Sequence, residues 1–138
     1  MTAARLAAVQ ALYQQALSDA SFTDVKAQFL EHYAGGDLDG DQLVPPDEAH
    51  WLMVLDGVEN YAWQLDQAVD AAIHAAQPSR KVENMEILLR LILRCGAFEV
   101  LHKIAEKPII INDYVNVAKA FYQLKEPAWV NAVLDKLG

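Results

Sequence analysis

Apolar side chains recur at intervals of three and four residues along nearly the whole chain, the spacing of one face of an α-helix. In residues 3–17 this repeat is carried by Leu6, Val9 and Tyr13. The same spacing returns in four later segments, namely after Ser21, in 47–76, in 83–101 and after Pro127. The pattern therefore predicts an all-α protein.

The interruptions between these segments predict about seven helices. Residues 34–46 combine paired glycines, alternating aspartates and two prolines, which is typical of a loop. Residues 47–76 are compatible with two helices separated by a break near 57–60. The most apolar segment, 83–101, has apolar residues on several faces, which predicts a central helix surrounded by others.

The last third of the chain is predicted to hold two further helices. After Pro108, three isoleucines alone could form a short strand, but the run that follows them is helical. We expect that helix to start at Asn112–Asp113, with Asn112 as a structural polar residue. Pro127, in a first helical turn, is expected to open the last helix.

Length and composition favour one soluble domain over residues 1–138. A chain of 138 residues has no room for a second core of ordinary size, and a hydrophobic fraction of 54% excludes a disordered chain. No apolar run reaches the ~18–20 positions of a membrane span, and the first residues lack the order of a secretory signal. Because a lone Cys95 cannot form an internal disulfide, we expect a cytoplasmic protein with no membrane partner.

The charge of the chain is unevenly distributed. The formal net charge of −8 argues against a simple nucleic-acid binder. Residues 1–77 hold twelve acidic residues against two basic ones, whereas residues 78–138 hold seven against nine. Any contact with a polyanion should therefore fall on the second half of the chain or around Arg5.

One acidic loop resembles a calcium-binding sequence but lacks its essential glycine. Asp37, Asp39 and Asp41 occupy positions 1, 3 and 5 of an EF-hand loop. The glycine needed at position 6 is Gln42, and two prolines follow where the loop should exit. We therefore predict a solvated acidic loop and no metal site.

No set of residues in the sequence predicts catalysis. The four histidines are scattered without an HExxH pair, and none lies at ligand spacing from Cys95. The glycine-rich phosphate loops and the GxSxG nucleophile motif are absent. The sequence therefore predicts neither an enzyme nor a bound cofactor.

Two charged residues, Arg94 and Glu99, interrupt the most apolar segment. Their spacing of five residues is poor for a pair within one helix. A charge in such surroundings needs a partner, so we expect both residues to be structural and each to be paired with another group.

Six segments of the chain have the order and spacing of the motifs of one known family. They are ARLAAVQALYQ at 4–14, VLDGV at 54–58, LD at 65–66, LRCGAFEVL at 93–101, INDYVNVAKAF at 111–121 and WVNAVLDKL at 129–137. Each motif alone is weak, but six in sequence are specific, and they cover nearly the whole chain. The chain thus resembles the NusB family of transcription antitermination factors.

The resemblance implies an all-helical fold of two packed three-helix bundles, with a seventh helix from the last segment. It also implies a role in transcription, because NusB proteins pair with the ribosomal protein NusE. The pair binds the single-stranded boxA element of nascent ribosomal RNA transcripts and helps RNA polymerase resist termination. Family members occur as monomers and as homodimers.

The resemblance also implies which residues bind RNA. Mapped onto this sequence, the surface comprises Arg5, Gln10, Tyr13, Lys119 and Trp129. Single-stranded RNA is held by phosphate contacts and by bases stacked on aromatic faces, which fits these residue types. The pattern alone leaves Tyr13 and Trp129 divided between base stacking and core packing.

An alternative keeps the fold and changes the function. The family's basic cluster before AVQALY is reduced here to Arg5, which leaves few phosphate contacts against an acidic first half. The alternative is therefore a free-standing protein-interaction module with little or no RNA affinity of its own.

Overall fold

The computed structural model describes residues 2–34, 47–79 and 85–138. Within these ranges the protein is all-helical, with seven helices and no strand, which confirms the predicted fold class. The helices are α1 (Thr2–Leu17), α2 (Phe22–Ala34), α3 (Glu48–Asn60), α4 (Ala62–Ala76), α5 (Ile87–Leu101), α6 (Lys107–Lys119) and α7 (Lys125–Asp135).

Polar caps mark the starts of α2 and α3, and a short break separates α3 from α4. Before α2, the hydroxyl of Ser21 accepts a hydrogen bond from the backbone N–H of Asp24 at 3.1 Å. Before α3, the carboxylate of Asp47 accepts one from the N–H of His50 at 3.1 Å. Both caps satisfy N–H groups that a helix start leaves without partners. The break between α3 and α4 falls at Tyr61, just beyond the predicted position.

Helix α6 starts earlier than predicted. It begins at Lys107 rather than at Asn112–Asp113, and its three isoleucines are helical. Pro108 is tolerated there because the N–H it lacks would have no partner in the first turn. Asn112 consequently lies in the middle of the helix and is exposed, so it does not mark a helix start. Pro127 lies in the first turn of α7, as expected.

Helix α5 is the centre of the fold, as its apolar sequence predicts. It packs against α1, α3, α4, α6 and α7. Eleven of its fifteen residues are buried. Helices α5, α6 and α7 contact one another in every pair, while α1 contacts α2 and α3. Helix α1 also contacts α5 and α6, so it connects α2 and α3 with the group formed by α5, α6 and α7.

Two further sequence predictions concern the acidic loop and membrane-spanning helices. The acidic segment from Asp37 to Gln42 lies outside the described residues, so the absence of a calcium site there stays a prediction. Among the helices of the described ranges, none is long and apolar enough to cross a membrane.

Candidate nucleic-acid interface

Arg5 lies in the interior of the protein, in a network of charges that joins three helices. From α1, its Nε donates a hydrogen bond to Oε2 of Glu99 on α5 at 2.9 Å, and its Nη2 donates to Oε1 at 2.6 Å. Its remaining terminal nitrogen donates to the carboxylate of Asp113 on α6. The residue is 1% exposed. All three nitrogens of the guanidinium are therefore engaged within the protein.

Glu99 is the acceptor at the centre of this network. It is fully buried, and it also accepts a hydrogen bond from the hydroxyl of Tyr114. Nε2 of His50 on α3 lies 3.2 Å from its Oε1. Burial alone would raise the pKa of Glu99, but the contacts with His50, Arg5 and Tyr114 outweigh it and lower that pKa to about 2.

The position of Arg5 corrects the RNA contact that the resemblance implies. A phosphate could reach its guanidinium only by displacing two carboxylates from a buried site, which would leave their charges unpaired. Arg5 therefore acts as an internal tie between α1, α5 and α6.

Acid should weaken the fold through Glu99. The pKa of the Glu99 carboxyl is lower in the folded protein than its ordinary value. Such a carboxyl stabilises the fold at pH values above its ordinary pKa, and this contribution is lost as the pH falls through the folded pKa. We therefore expect the free energy of unfolding to decrease between about pH 5 and pH 2, measured by urea denaturation at a series of pH values. The Glu99→Gln variant should show a smaller decrease. An equal decrease in both proteins would contradict the assignment.

Arg94 has its partner on a neighbouring helix. Its Nε and Nη2 donate to the two carboxylate oxygens of Asp66 on α4, at 2.6 and 3.0 Å. One turn earlier on α5, Arg90 donates to Asp70 at 3.0 Å and lies 3.5 Å from Asp66. The two arginines thus connect α5 to α4 through partly exposed ion pairs. Arg94 and Glu99 therefore pair with different helices and not with each other.

Gln10 and Tyr13 lie one turn apart on α1. Gln10 is exposed, while Tyr13 is half-buried and packs against the core. The phenol of Tyr13 is close enough to that of Tyr122, three residues after the end of α6, to influence it electrostatically. Burial is the main cause that raises the pKa of Tyr122, and the carboxylate of Glu86 and the Tyr13 phenol add to it. Tyr13 is therefore partly packed against the core and partly exposed to solvent.

Trp129 adjoins a groove beside Tyr122. The groove has a volume of about 630 Å³, and its lining includes Leu89, Tyr122 and Trp129. Trp129 is half-buried and packs against the core from α7. Lys119, the last residue of α6, is exposed and lies three positions before Tyr122. Tyr122 therefore lies close to Tyr13 and lines the same groove as Trp129.

Among the described residues that line this groove, acidic side chains outnumber basic ones. Glu86 and Glu126 are the acidic residues of this described lining, and Lys125 is the basic one. The sequence patterns described above do not single out Tyr122, which lines this groove. Its position beside a second aromatic residue, Phe121, shortly after the amphipathic segment that forms α6, is the signal that could have identified it.

Comparisons with known proteins agree on one family. The model of the NusB family matches residues 2–138. A protein of Bradyrhizobium diazoefficiens named Transcription antitermination protein NusB is 39% identical over 137 residues, which cover 99% of this chain and 81% of that protein. The proteins of the same name from Rhodopseudomonas palustris and Rhizobium meliloti are 38% and 39% identical over 98% of this chain, covering 79% and 83% of their lengths.

Proposed function

Because the chain belongs to the NusB family, we propose that it acts in transcription antitermination. In this proposal it binds the boxA RNA of ribosomal RNA transcripts together with the ribosomal protein NusE. The complex then helps RNA polymerase resist termination in the cytoplasm. The family match over residues 2–138 is the observation that carries the proposal.

The surface around Tyr13 and Trp129 supports a contact with single-stranded RNA. Each of these aromatic residues packs against the core and is partly exposed, which suits stacking on an unpaired base. Gln10 supplies an exposed amide on the same helix as Tyr13, and Lys119 supplies an exposed cation for a phosphate. The chain supplies binding groups only, with no enzymatic step and no cofactor.

We expect the chain to bind RNA weakly without its partner. Arg5 is held by two carboxylates, and the groove beside Trp129 contains Glu86 and Glu126. Few phosphates can then be neutralised, so a partner with its own basic groups should tighten the complex.

Tyr13→Ala and Trp129→Ala should each weaken RNA binding by roughly 1–3 kcal/mol if a base stacks on the ring. The affinity for boxA RNA is measured by fluorescence anisotropy in the presence of NusE, with circular dichroism melts of each variant. Trp63→Ala is the matched control, because Trp63 is a tryptophan of α4 that is 70% exposed. Folded Tyr13→Ala and Trp129→Ala variants with unchanged affinity would place the RNA elsewhere.

Lys119→Ala should flatten the salt dependence of RNA binding by about 0.7 in the slope of log affinity against log salt. One lost phosphate contact with a single strand has this effect, with little change in sequence preference. The measurement is a salt titration with boxA RNA and with scrambled RNA of equal length. A changed preference between these RNAs would mean that Lys119 contacts a base.

The position of Arg5 favours a second candidate, a protein-interaction module with little RNA affinity. Its guanidinium is the cation that the resemblance assigned to RNA on the first helix, and it is buried in ion pairs. A pull-down with NusE, with and without boxA RNA, distinguishes the two candidates. The first candidate requires a preference of the complex for boxA over scrambled RNA, and the second requires NusE binding that RNA does not change.

Sedimentation of the chain alone tests whether it forms the homodimer seen in some family members.

A further inference from the structure

A second groove, between α6 and α7, is lined by polar side chains. It has a volume of about 340 Å³, within the usual range of small-ligand sites. Its lining includes Lys107, Ile111, Asn112, Val115, Asn131 and Asp135. Lys107, at the start of α6, reaches the end of α7, so the two helices run antiparallel. We call this feature the α6–α7 groove.

Folding does not explain the polar residues of this groove. Asn112 and Asn131 are exposed in helix interiors, where asparagine is unfavourable compared with alanine. Neither amide, nor the carboxylate of Asp135, makes a side-chain hydrogen bond or ion pair with any other residue in the described ranges. Three hydrogen-bonding groups that are not paired with any other described residue therefore face one groove.

The charge of the α6–α7 groove is unsuited to a phosphate. Its lysine, Lys107, donates to the backbone carbonyl oxygens of Asp135 at 2.9 Å and of Leu137, so the end of α7 already engages this ammonium group. The exposed carboxylate of Asp135 would repel an anion. Ile111 and Val115 add aliphatic surface, which suits a flat, uncharged ring with hydrogen-bonding edges.

We propose that the α6–α7 groove binds one unstacked guanine base of single-stranded RNA. An ionised carboxylate only accepts hydrogen bonds, and guanine is the RNA base with two adjacent donors, N1–H and the 2-amino group, on one edge. Its O6 and N7 are acceptors, which suit the amide donors of Asn112 and Asn131. Adenine and cytosine present a single amino group, and uracil presents a single N–H.

The inference rests on the proposed function, because RNA must bind the chain for a base to reach this groove. Lys119, the proposed phosphate contact, follows Asn112 by seven residues on α6, two turns or about 11 Å along the helix. Both side chains are exposed. A strand held at Lys119 can therefore continue along α6 to the groove.

The test compares two oligouridines of equal length, one of which carries a single central guanosine. With NusE present, the chain should bind the guanosine-containing RNA at least about fivefold more tightly than the plain oligouridine. This factor is the lower end of the discrimination that a contact of two hydrogen bonds to one base provides. Asp135→Asn and Asn131→Ala should each reduce this preference to less than about twofold, while affinity for plain oligouridine is kept. Inosine in place of guanosine, which lacks the 2-amino group, should lower the preference in the wild-type chain.

Asn116→Ala is the matched control, because Asn116 is an exposed asparagine of α6 that does not line the groove. It should keep the full preference for guanosine. Binding of both RNAs with equal affinity, or a preference that the groove variants leave unchanged, overturns the guanine site while the proposed function stands. Groove variants that weaken NusE binding without RNA would instead assign the groove to a protein and also overturn the inference. If neither these RNAs nor boxA RNA binds, the proposed function itself fails.

Discussion

Glu99→Ala should lower the free energy of unfolding by about 3–5 kcal/mol, the cost of breaking a buried ion pair by removing one partner. Glu99 is fully buried and accepts hydrogen bonds from Arg5 and Tyr114. Without it, the 1%-exposed Arg5 keeps its charge, and among the described residues the partly exposed Asp113 is its remaining ion-pair partner. Urea denaturation followed by circular dichroism measures the change.

The comparison with an exposed glutamate separates this effect from a general loss of negative charge. Glu59, on α3, is exposed, and Glu59→Ala should change stability by no more than about 0.5 kcal/mol. A change that small in Glu99→Ala would contradict the buried network.

A double variant tests why the loss is large. If the cost comes from the stranded guanidinium, Arg5→Met in the Glu99→Met background should recover part of the stability, because an apolar pair leaves no unpaired charge between α1 and α5. Additive losses in the double variant would instead mean that each side chain contributes separately. This cycle also measures how strongly the two helices are coupled through one contact.

The helices could be predicted because their signal is local. The repeat of apolar residues in α1 and the apolar faces of α5 follow from which side of each helix is buried, and neighbouring residues report this directly. The start of α6 could not be predicted in the same way. A run of three isoleucines fits a strand or a buried helix equally well, so its packing against α5 and α7 decides.

The role of Arg5 could not be predicted because its partners are distant in sequence. Glu99 is 94 residues away and Asp113 is 108 residues away, and no local spacing reveals such a contact. One local signal did exist. Arg5 precedes Val9 by four residues and Leu12 by seven, so it lies on the buried stripe of α1 rather than beside the exposed Gln10. A charge on that stripe indicates an internal partner.

Gly57→Ala should destabilise the protein by about 3 kcal/mol, at the upper end of the cost of overpacking a core. A Cβ at Gly57 on α3 would lie 2.2 Å from Cε1 and 2.3 Å from Cζ of Phe98 on α5. The Phe98 ring cannot easily move, because the rings of Tyr61 and His102 lie beside it at centroid distances of 6.5 and 4.7 Å. Thermal and urea denaturation measure the loss.

The same substitution at Gly96 provides the control. A Cβ there would lie 2.9 Å from the two Cδ atoms of Leu134, the flexible end of an aliphatic side chain that can shift. Because alanine in a helix interior is favoured over glycine by about 1 kcal/mol, that gain should offset much of the strain in Gly96→Ala. At Gly57 the same gain is too small to offset a collision with a ring. Replacing Phe98 by leucine should therefore rescue Gly57→Ala, and equal losses at both glycines would contradict the close approach of α3 and α5.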